Sequence, residues 1–243
     1  MKNKIRRILS WIGGMVVFGT VAVVVIVVIV VMKDASAMPD QVILTLDLEK
    51  EVVEYVPDDP LAKLIREDVQ TVRTLVGSID LAAHDDGVVG LIARVGDSPL
   101  GFAQIQEIRD AILAFRQSGK PTAVFAETFG EGGNGAYYLA SAFDKIYLQP
   151  SGDVGLMGLR AEHPFVKGLL DSIDVIPRMA GRHEYKNAMN LFTEDHFTDA
   201  HREATEAMLQ SMYGQIVRDL AVALDRTPDR IKELMDQGPF LGT

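Results

Sequence analysis

The chain has 243 residues, of which 48% are hydrophobic, with 24 Lys and Arg, 34 Asp and Glu, and no Cys. The apolar fraction excludes a disordered polymer, and the lack of Cys excludes disulfides, thiolate metal sites and a cysteine nucleophile. With a net charge of −10, no nucleic-acid partner is expected, because neutralising phosphates requires a basic face.

Charge is unevenly distributed along the chain. Residues 1–11 carry four basic and no acidic side chains, and residues 12–32 carry no charge. A helix over 12–32 would be about 31 Å long, which matches the hydrocarbon core of a bilayer. Ala35-Ser36-Ala37 resembles a signal-peptide cleavage site, but the apolar stretch is longer than the 7–15 residues typical of a signal peptide. The sequence therefore favours an uncleaved transmembrane helix.

The basic N-terminus is expected to stay in the cytoplasm, so one span of the inner (cytoplasmic) membrane would place the rest of the chain in the periplasm or outside the cell. Residues 33–40 form a short polar linker. Residues 41–243 are long enough for one acidic domain. Gly238–Thr243 contains no closing element, which predicts a domain truncated at its C-terminus.

Strands and helices alternate through this domain. Alternating or dense apolar runs predict strands or extended segments over Gln41–Leu48, Val88–Val95, Thr122–Ala126, Lys145–Leu148 and Val175–Met179. Apolar residues at helical spacing predict helices over 61–79 after Pro60, Phe102–Phe115, Ala136–Phe143, Val166–Ile173, Thr198–Ala223 and from Thr227-Pro228 onward. This order indicates an α/β fold with a largely parallel sheet.

A glycine-rich loop, Gly130–Gly135, fits the pattern G-x-G-x-x-G between a strand and a helix. Three interpretations stay open. The loop could cradle a pyrophosphate, with Asp153 as the ribose partner, although the following helix is short and dinucleotides are scarce outside the cytoplasm. It could be a tight turn that needs positive φ. It could also present backbone N–H groups to a substrate carbonyl.

Other candidate sites give weak signals. His183-Glu184 and Glu194-Asp195-His196 could contribute to a metal site, but no H-E-x-x-H motif is present and surface histidines are common. No Ser lies in G-x-S-x-G, and Ser151 is expected in a turn.

Lys186 is the candidate with the most specific chemistry. A lysine with an ordinary pKa of about 10.4 is a poor base until it is desolvated. Nearby apolar side chains could provide that shell, and a neutral amine could then accept the proton of a serine hydroxyl. Composition and periodicity alone do not distinguish Lys186 from the other lysines. The residues proposed for the shell are Tyr185, Ala188, Met189, Leu191 and Phe192.

Several segments together resemble one family, the long form of signal peptide peptidase A, also called protease IV. The resemblance is to its N-terminal half and covers most of residues 41–243. The Tyr-Tyr-Leu-Ala and Tyr-Lys-x-Ala motifs, in this order, are its most specific part. After the N-terminal anchor, the segments that carry it are Ile105–Ile112, Phe115–Pro121, Gly135–Ser141, Lys145–Pro150 and Gly181–Ala188.

The resemblance implies a membrane-anchored serine–lysine peptidase with a ClpP/crotonase-like fold, which degrades cleaved signal peptides. The general-base lysine of the Tyr-Lys-x-Ala motif falls on Lys186. The nucleophilic serine is implied to lie in a second half outside this chain, because the serine position of short family members is Asn134 here, and an amide cannot be that nucleophile. A ring-like homo-oligomer at the membrane is implied, and no cofactor or metal.

Two other functions remain open. Asn134 is also compatible with a non-catalytic, membrane-tethered scaffold that has the same fold. A crotonase-type acyl-CoA enzyme would use a glycine-rich loop to hold an oxyanion, but CoA is cytoplasmic and the domain is expected on the other side of the membrane.

Overall fold

The computed structural model describes residues 19–21, 23, 25–26, 39–57, 59, 69–96, 100–130 and 133–242. The chain divides into two units, Met1–Val42 and Ile43–Thr243. Most of the predicted transmembrane segment 12–32 lies outside the described residues, and the six that are described within it are helical. No helix formed by the described residues has both the length and the apolar content that a bilayer crossing requires.

Among the described residues of the second unit, three strands come first, strands and helices then alternate as far as the strand Lys145–Leu148, and the elements after that strand are all helices. The strands are β1 (Val42–Asp47), β2 (Val52–Val53), β3 (Gln70–Thr71), β4 (Val88–Arg94), β5 (Thr122–Ala126) and β6 (Lys145–Leu148). The helices among the described residues of this unit are α1 (Val72–His84), α2 (Phe102–Arg116), α3 (Asn134–Ala140), α4 (Lys167–Ser172), α5 (Asn190–Thr193), α6 (Asp199–Ala223) and α7 (Pro228–Gln237).

The main sheet has the order β1-β4-β5-β6. Strand β5 pairs in parallel with both neighbours, with Ala93 opposite Val124 on one side and Val124 opposite Ile146 on the other. Strands β2 and β3 form a separate parallel pair. The prediction of an α/β fold with a largely parallel sheet is therefore confirmed.

Helices α1 and α2 pack against each other, and each buries one face. The spacing of buried residues by three or four positions explains the helical pattern of the sequence. Gly119, with φ of 80°, follows the end of α2, at a position where the left-handed backbone favours glycine. The buried apolar residues are Val72, Leu75, Ile79 and Ala82 in α1, and Ile105, Ile108, Ile112 and Phe115 in α2.

Two predicted helices differ in the structure. Residues 61–68 of the helix predicted over 61–79 lie outside the described residues, residues 69–71 are not helical, and α1 begins at Val72 and continues to His84. The Thr71 side chain caps α1 by accepting a hydrogen bond from the Thr74 N–H at 3.1 Å. The short helix predicted from Ala136 already begins at Asn134. Residues 175–179, predicted to be extended, belong to no strand.

Close backbone packing fixes the turn before α3. The Phe129 N–H donates to the Asp153 carbonyl at 2.8 Å, and the Gly155 N–H donates to the Phe129 carbonyl at 2.6 Å. A Cβ on Gly133 would lie 1.8 Å from the Phe129 carbonyl oxygen, and one on Gly155 would lie 2.0 Å from the Gly130 oxygen. A residue without a side chain is therefore needed at 133 for the turn into α3, and at 155 for the close approach of the segment around residue 155 to Phe129 and Gly130.

This packing predicts that Gly133→Ala destabilises the protein. The added methyl group meets backbone atoms that cannot rotate away, so we expect a loss of about 3 kcal/mol in the free energy of unfolding. Gly77→Ala is the matched control, because a Cβ there meets nothing within 4 Å; in the middle of α1 it should stabilise by roughly 0.5–1 kcal/mol. Urea denaturation measures both, and equal effects would contradict the packing argument.

Candidate functional site

Lys186 lies between α4 and α5, in residues 181–189, which we call the lysine loop. The Lys186 side chain is exposed. It lines an open cleft of about 390 Å³ together with Met179, Ala180, Gly181, Ala188 and Met189. Ala188 and Met189 thus occupy the apolar side of the cleft, as the sequence suggests. The described residues of the cleft leave the Lys186 side chain open to water.

Tyr185, predicted to belong to the same apolar shell, instead donates a hydrogen bond from its hydroxyl to Glu203 Oε2 at 2.9 Å. Glu203 lies in the second turn of α6. The Glu203 carboxylate raises the pKa of Tyr185, because its hydrogen bond and its negative charge both favour the protonated phenol. Tyr185 therefore links the lysine-bearing loop to a long helix.

Asn134, the residue at the serine position of the resemblance, is the first residue of α3. Its Oδ1 accepts a hydrogen bond from the Met157 N–H at 2.8 Å, and its Nδ2 donates to the Gly158 carbonyl at 3.4 Å. A primary amide can both accept and donate toward a backbone segment. Asn134 thus holds the segment that follows residue 155 against the start of α3.

A buried arginine joins α2, α3 and α6, and sequence reasoning missed it. Arg109 is 4% exposed; it donates to the Tyr138 carbonyl and, at 2.6 Å, to Ser141 Oγ, and its guanidinium lies 4.1 Å from the centre of the Tyr138 ring. Burial lowers the pKa of Arg109. The Tyr138 hydroxyl donates to Asp219, and burial and this hydrogen bond raise the pKa of Tyr138 to about 12.

Two histidines and two phenylalanines form a ring cluster at the start of α6. The His201 ring is 4.8 Å from that of His163 and 4.7 Å from that of Phe197, and Phe165 lies 5.3 Å from Phe197. His201 is 4% exposed, and desolvation, with a smaller contribution from His163, lowers its pKa. Asn190 Nδ2 approaches His201 Nδ1 at 3.5 Å. The cluster therefore joins the segment around residue 163 to α6 near the lysine loop.

A sequence signal for this cluster exists. Phe197 and His201 lie four positions apart, on either side of the start of α6 at Asp199. His163 and Phe165 lie two positions apart in a segment without regular secondary structure. Each spacing places two rings on the same face. The spacing does not show that the two pairs meet, because they are more than thirty residues apart.

The glycine-rich loop fits the tight-turn interpretation in part. The expected positive φ is wrong for Gly133, whose φ is −59°; its small size is needed for close approach instead. Asp153, the suggested ribose partner, accepts a hydrogen bond from the Gly242 N–H at 2.7 Å. Residues 131 and 132 lie outside the described residues.

The suggested metal ligands do not come together in the structure. His183 is exposed and has a φ of 68°, while Asp195 and His196 pair with each other on the surface. Among the residues that the structure describes, no three His, Cys, Asp or Glu side chains are arranged to hold a metal ion. Ser151 lies in a turn, as predicted.

The buried His201 predicts acid-sensitive stability. Its pKa is lowered in the folded state, so the unfolded chain binds the proton more readily below the ordinary value of about 6.5. The stabilisation is complete above that pH and is lost as the pH falls toward the lower folded-state pKa. Urea denaturation at pH 7.5 and 5.5 should therefore show a smaller loss of stability for His201→Phe than for the wild type.

His183→Asn is the control for this measurement, because His183 is exposed and Asn tolerates its left-handed backbone. Its loss of stability between pH 7.5 and 5.5 should equal that of the wild type. An unchanged pH dependence in His201→Phe would show that the ring cluster does not cause the effect.

The chain is similar in sequence to known proteases. The chain is 28% identical to Protease 4 of Salmonella typhi over 162 residues, which are 65% of this chain and 25% of that protein. It is 28% identical to Protease 4 of Haemophilus influenzae with the same coverage. It is 23% identical to the chloroplastic serine protease SPPA of Arabidopsis thaliana over 159 residues, which are 65% of this chain and 23% of that protein.

Residues 114–243 match the pattern of a peptidase family. They extend from the end of α2 to the C-terminus and include both Asn134 and Lys186. The match covers more than half of the chain, so the chain belongs to peptidase family S49. The resemblance to protease IV is thereby confirmed, and the chain spans about a quarter of the length of the curated relatives it matches.

Proposed function

We propose that this chain is the lysine-donating half of a membrane-anchored serine endopeptidase with a ClpP/crotonase-like fold. In this proposal Lys186 is the general base, and the nucleophilic serine comes from a second half of the same protein outside this chain. The observation that carries the proposal is the S49 match across Lys186, together with the open cleft beside its amine. The occupied Asn134 amide supports a serine supplied from elsewhere.

The chemistry follows from a neutral lysine amine next to a hydroxyl. The Lys186 amine takes the serine proton while the serine oxygen bonds to the scissile carbonyl carbon, and N–H donors hold the resulting oxyanion. The Lys186 ammonium then returns the proton to the leaving amine as the peptide bond breaks. Water, deprotonated by the same amine, hydrolyses the acyl-enzyme and regenerates both residues.

An exposed lysine needs a covering surface before it can act as a base. Exposed apolar side chains lie along residues 169–179, directly before the lysine loop, and such a concentration is typical of an interaction surface. A second half of the protein, or another copy in a homo-oligomer, would exclude water from the cleft by covering them. The exposed residues are Leu169, Ile173, Val175, Ile176 and Met179.

The substrate class and location follow from the proposed family role. Cleaved signal peptides remain in the bilayer, and a single-pass anchor over 12–32 would hold the domain beside them on the periplasmic or extracytoplasmic side. No cofactor or metal is required by a serine–lysine mechanism, since the two side chains and backbone N–H groups supply all the chemistry.

A non-catalytic scaffold is the second candidate, and Asn134 is the observation that favours it. The amide cannot attack a carbonyl, and its two hydrogen bonds give it a structural role. A full-length protein that cleaves no signal peptide at all, whether or not Lys186 is present, would support this candidate.

The test compares the full-length, membrane-bound protein with its Lys186→Ala variant on a synthetic signal peptide. Loss of a general base should reduce kcat at least about 100-fold, while circular dichroism shows an unchanged fold. Lys232→Ala is the matched control, because Lys232 is a partly exposed lysine in α7 that pairs with Asp229, and it should retain full activity. Undiminished cleavage by a folded Lys186→Ala variant would exclude the proposed role of this lysine.

A further inference from the structure

The two ends of the lysine loop, Gly181 and Met189, are in contact. A Cβ built on Gly181 would lie only 1.9 Å from Met189 Cε, so the two ends of the loop pack tightly together. His183 has a left-handed backbone, and its carbonyl accepts a hydrogen bond from the Lys186 N–H at 3.3 Å. These contacts set the internal path of the loop, but they do not fix its orientation against the sheet and helices.

One side chain fastens the middle of this loop to a regular element. The Tyr185 hydroxyl donates to Glu203 Oε2 at 2.9 Å. Within the part of the chain that the structure describes, no other side-chain hydrogen bond joins residues 181–188 to another element. The orientation of the loop centre therefore depends on this contact.

Glu203 has a well-defined position, because α6 packs against the rest of the domain near both of its ends. The Thr198 side chain caps the helix by accepting a hydrogen bond from the His201 N–H at 3.3 Å, and the His201 ring is buried in the ring cluster. Ile216 and Leu220 are buried near the other end. A side chain that is hydrogen-bonded to this packed helix, such as Tyr185, is held in place by it.

The hydrogen bond is also suited to alkaline conditions. The Glu203 carboxylate raises the pKa of Tyr185, so the phenol keeps its proton where a free tyrosine would begin to lose it. Neutral lysine amines also become more abundant as the pH rises. The hydrogen bond between Tyr185 and Glu203 therefore remains intact under the conditions that favour a lysine base.

We propose that Tyr185, through its hydrogen bond to Glu203, is a positioning residue for the Lys186 amine. Adjacent residues share a planar peptide unit, so a held Tyr185 also holds the Lys186 backbone from which the amine extends to the cleft. The proposal rests on the function proposed above. Tyr185 acts through Lys186 and does not itself exchange a proton with the substrate.

The experiment measures kcat and KM in the full-length protein for Tyr185→Phe, Glu203→Gln and the double variant. Each single variant should lower kcat about 10-fold with less than a twofold change in KM, because a poorly aimed base affects the reaction more than binding. The double variant should lose no more than either single variant, because both remove the same bond.

Tyr213→Phe, a matched loss of a hydroxyl in the same helix α6, should leave kcat and KM unchanged. A Tyr185→Phe variant with wild-type kcat, alongside an inactive Lys186→Ala variant, would overturn the positioning role and leave the proposed function standing. A lower kcat accompanied by an equally large change in KM and a lower Tm would show a purely structural tyrosine and overturn the positioning role. Full activity in Lys186→Ala would overturn both proposals.

Discussion

Two backbone segments, 127–130 and 152–155, approach each other closely. This contact determines where α3 begins and which path the chain takes after residue 155. The approach requires glycines at 152 and 155, and Gly133 allows the tight turn from Phe129 into α3. The start of α3 places Asn134 against residues 157 and 158, and from there the chain leads to His163 and Phe165, which pack on α6. A contact at the end of the sheet is therefore connected, step by step, to the helix that holds the lysine loop.

Local rules account for most of the elements. Strands β4, β5 and β6 follow dense apolar runs, and the caps at Thr198 and Thr227 were predictable because a side-chain oxygen before an apolar-periodic segment satisfies free N–H groups. The start of α1 at Val72, after its cap Thr71, was not predicted, because the apolar spacing of the sequence continues through this position. At that position a local hydrogen bond outweighs the periodic pattern.

The sequence proposes one residue of the candidate site, Lys186, but it does not predict the surroundings of that residue. Lys186 could be selected only through its resemblance to a family motif, since nothing in its local sequence separates it from a surface lysine. The contact of Tyr185 with Glu203 joins positions eighteen residues apart, and the contact of Arg109 with Tyr138 joins positions on different helices. Such partners depend on tertiary packing, which a pattern along one segment does not contain.

The hydroxyl of Tyr138 has a consequence for the tolerance of the fold to strong base. With a pKa of about 12 it remains an uncharged donor toward Asp219 where most tyrosines have become phenolates. Arg109 is stacked on the same ring, and burial lowers the pKa of its guanidinium. The contact between α3 and α6 near the C-terminal end of α6 should therefore withstand alkaline conditions in which an ordinary tyrosine ionises, whereas the His201 contacts near the other end of the helix weaken as the medium turns acidic.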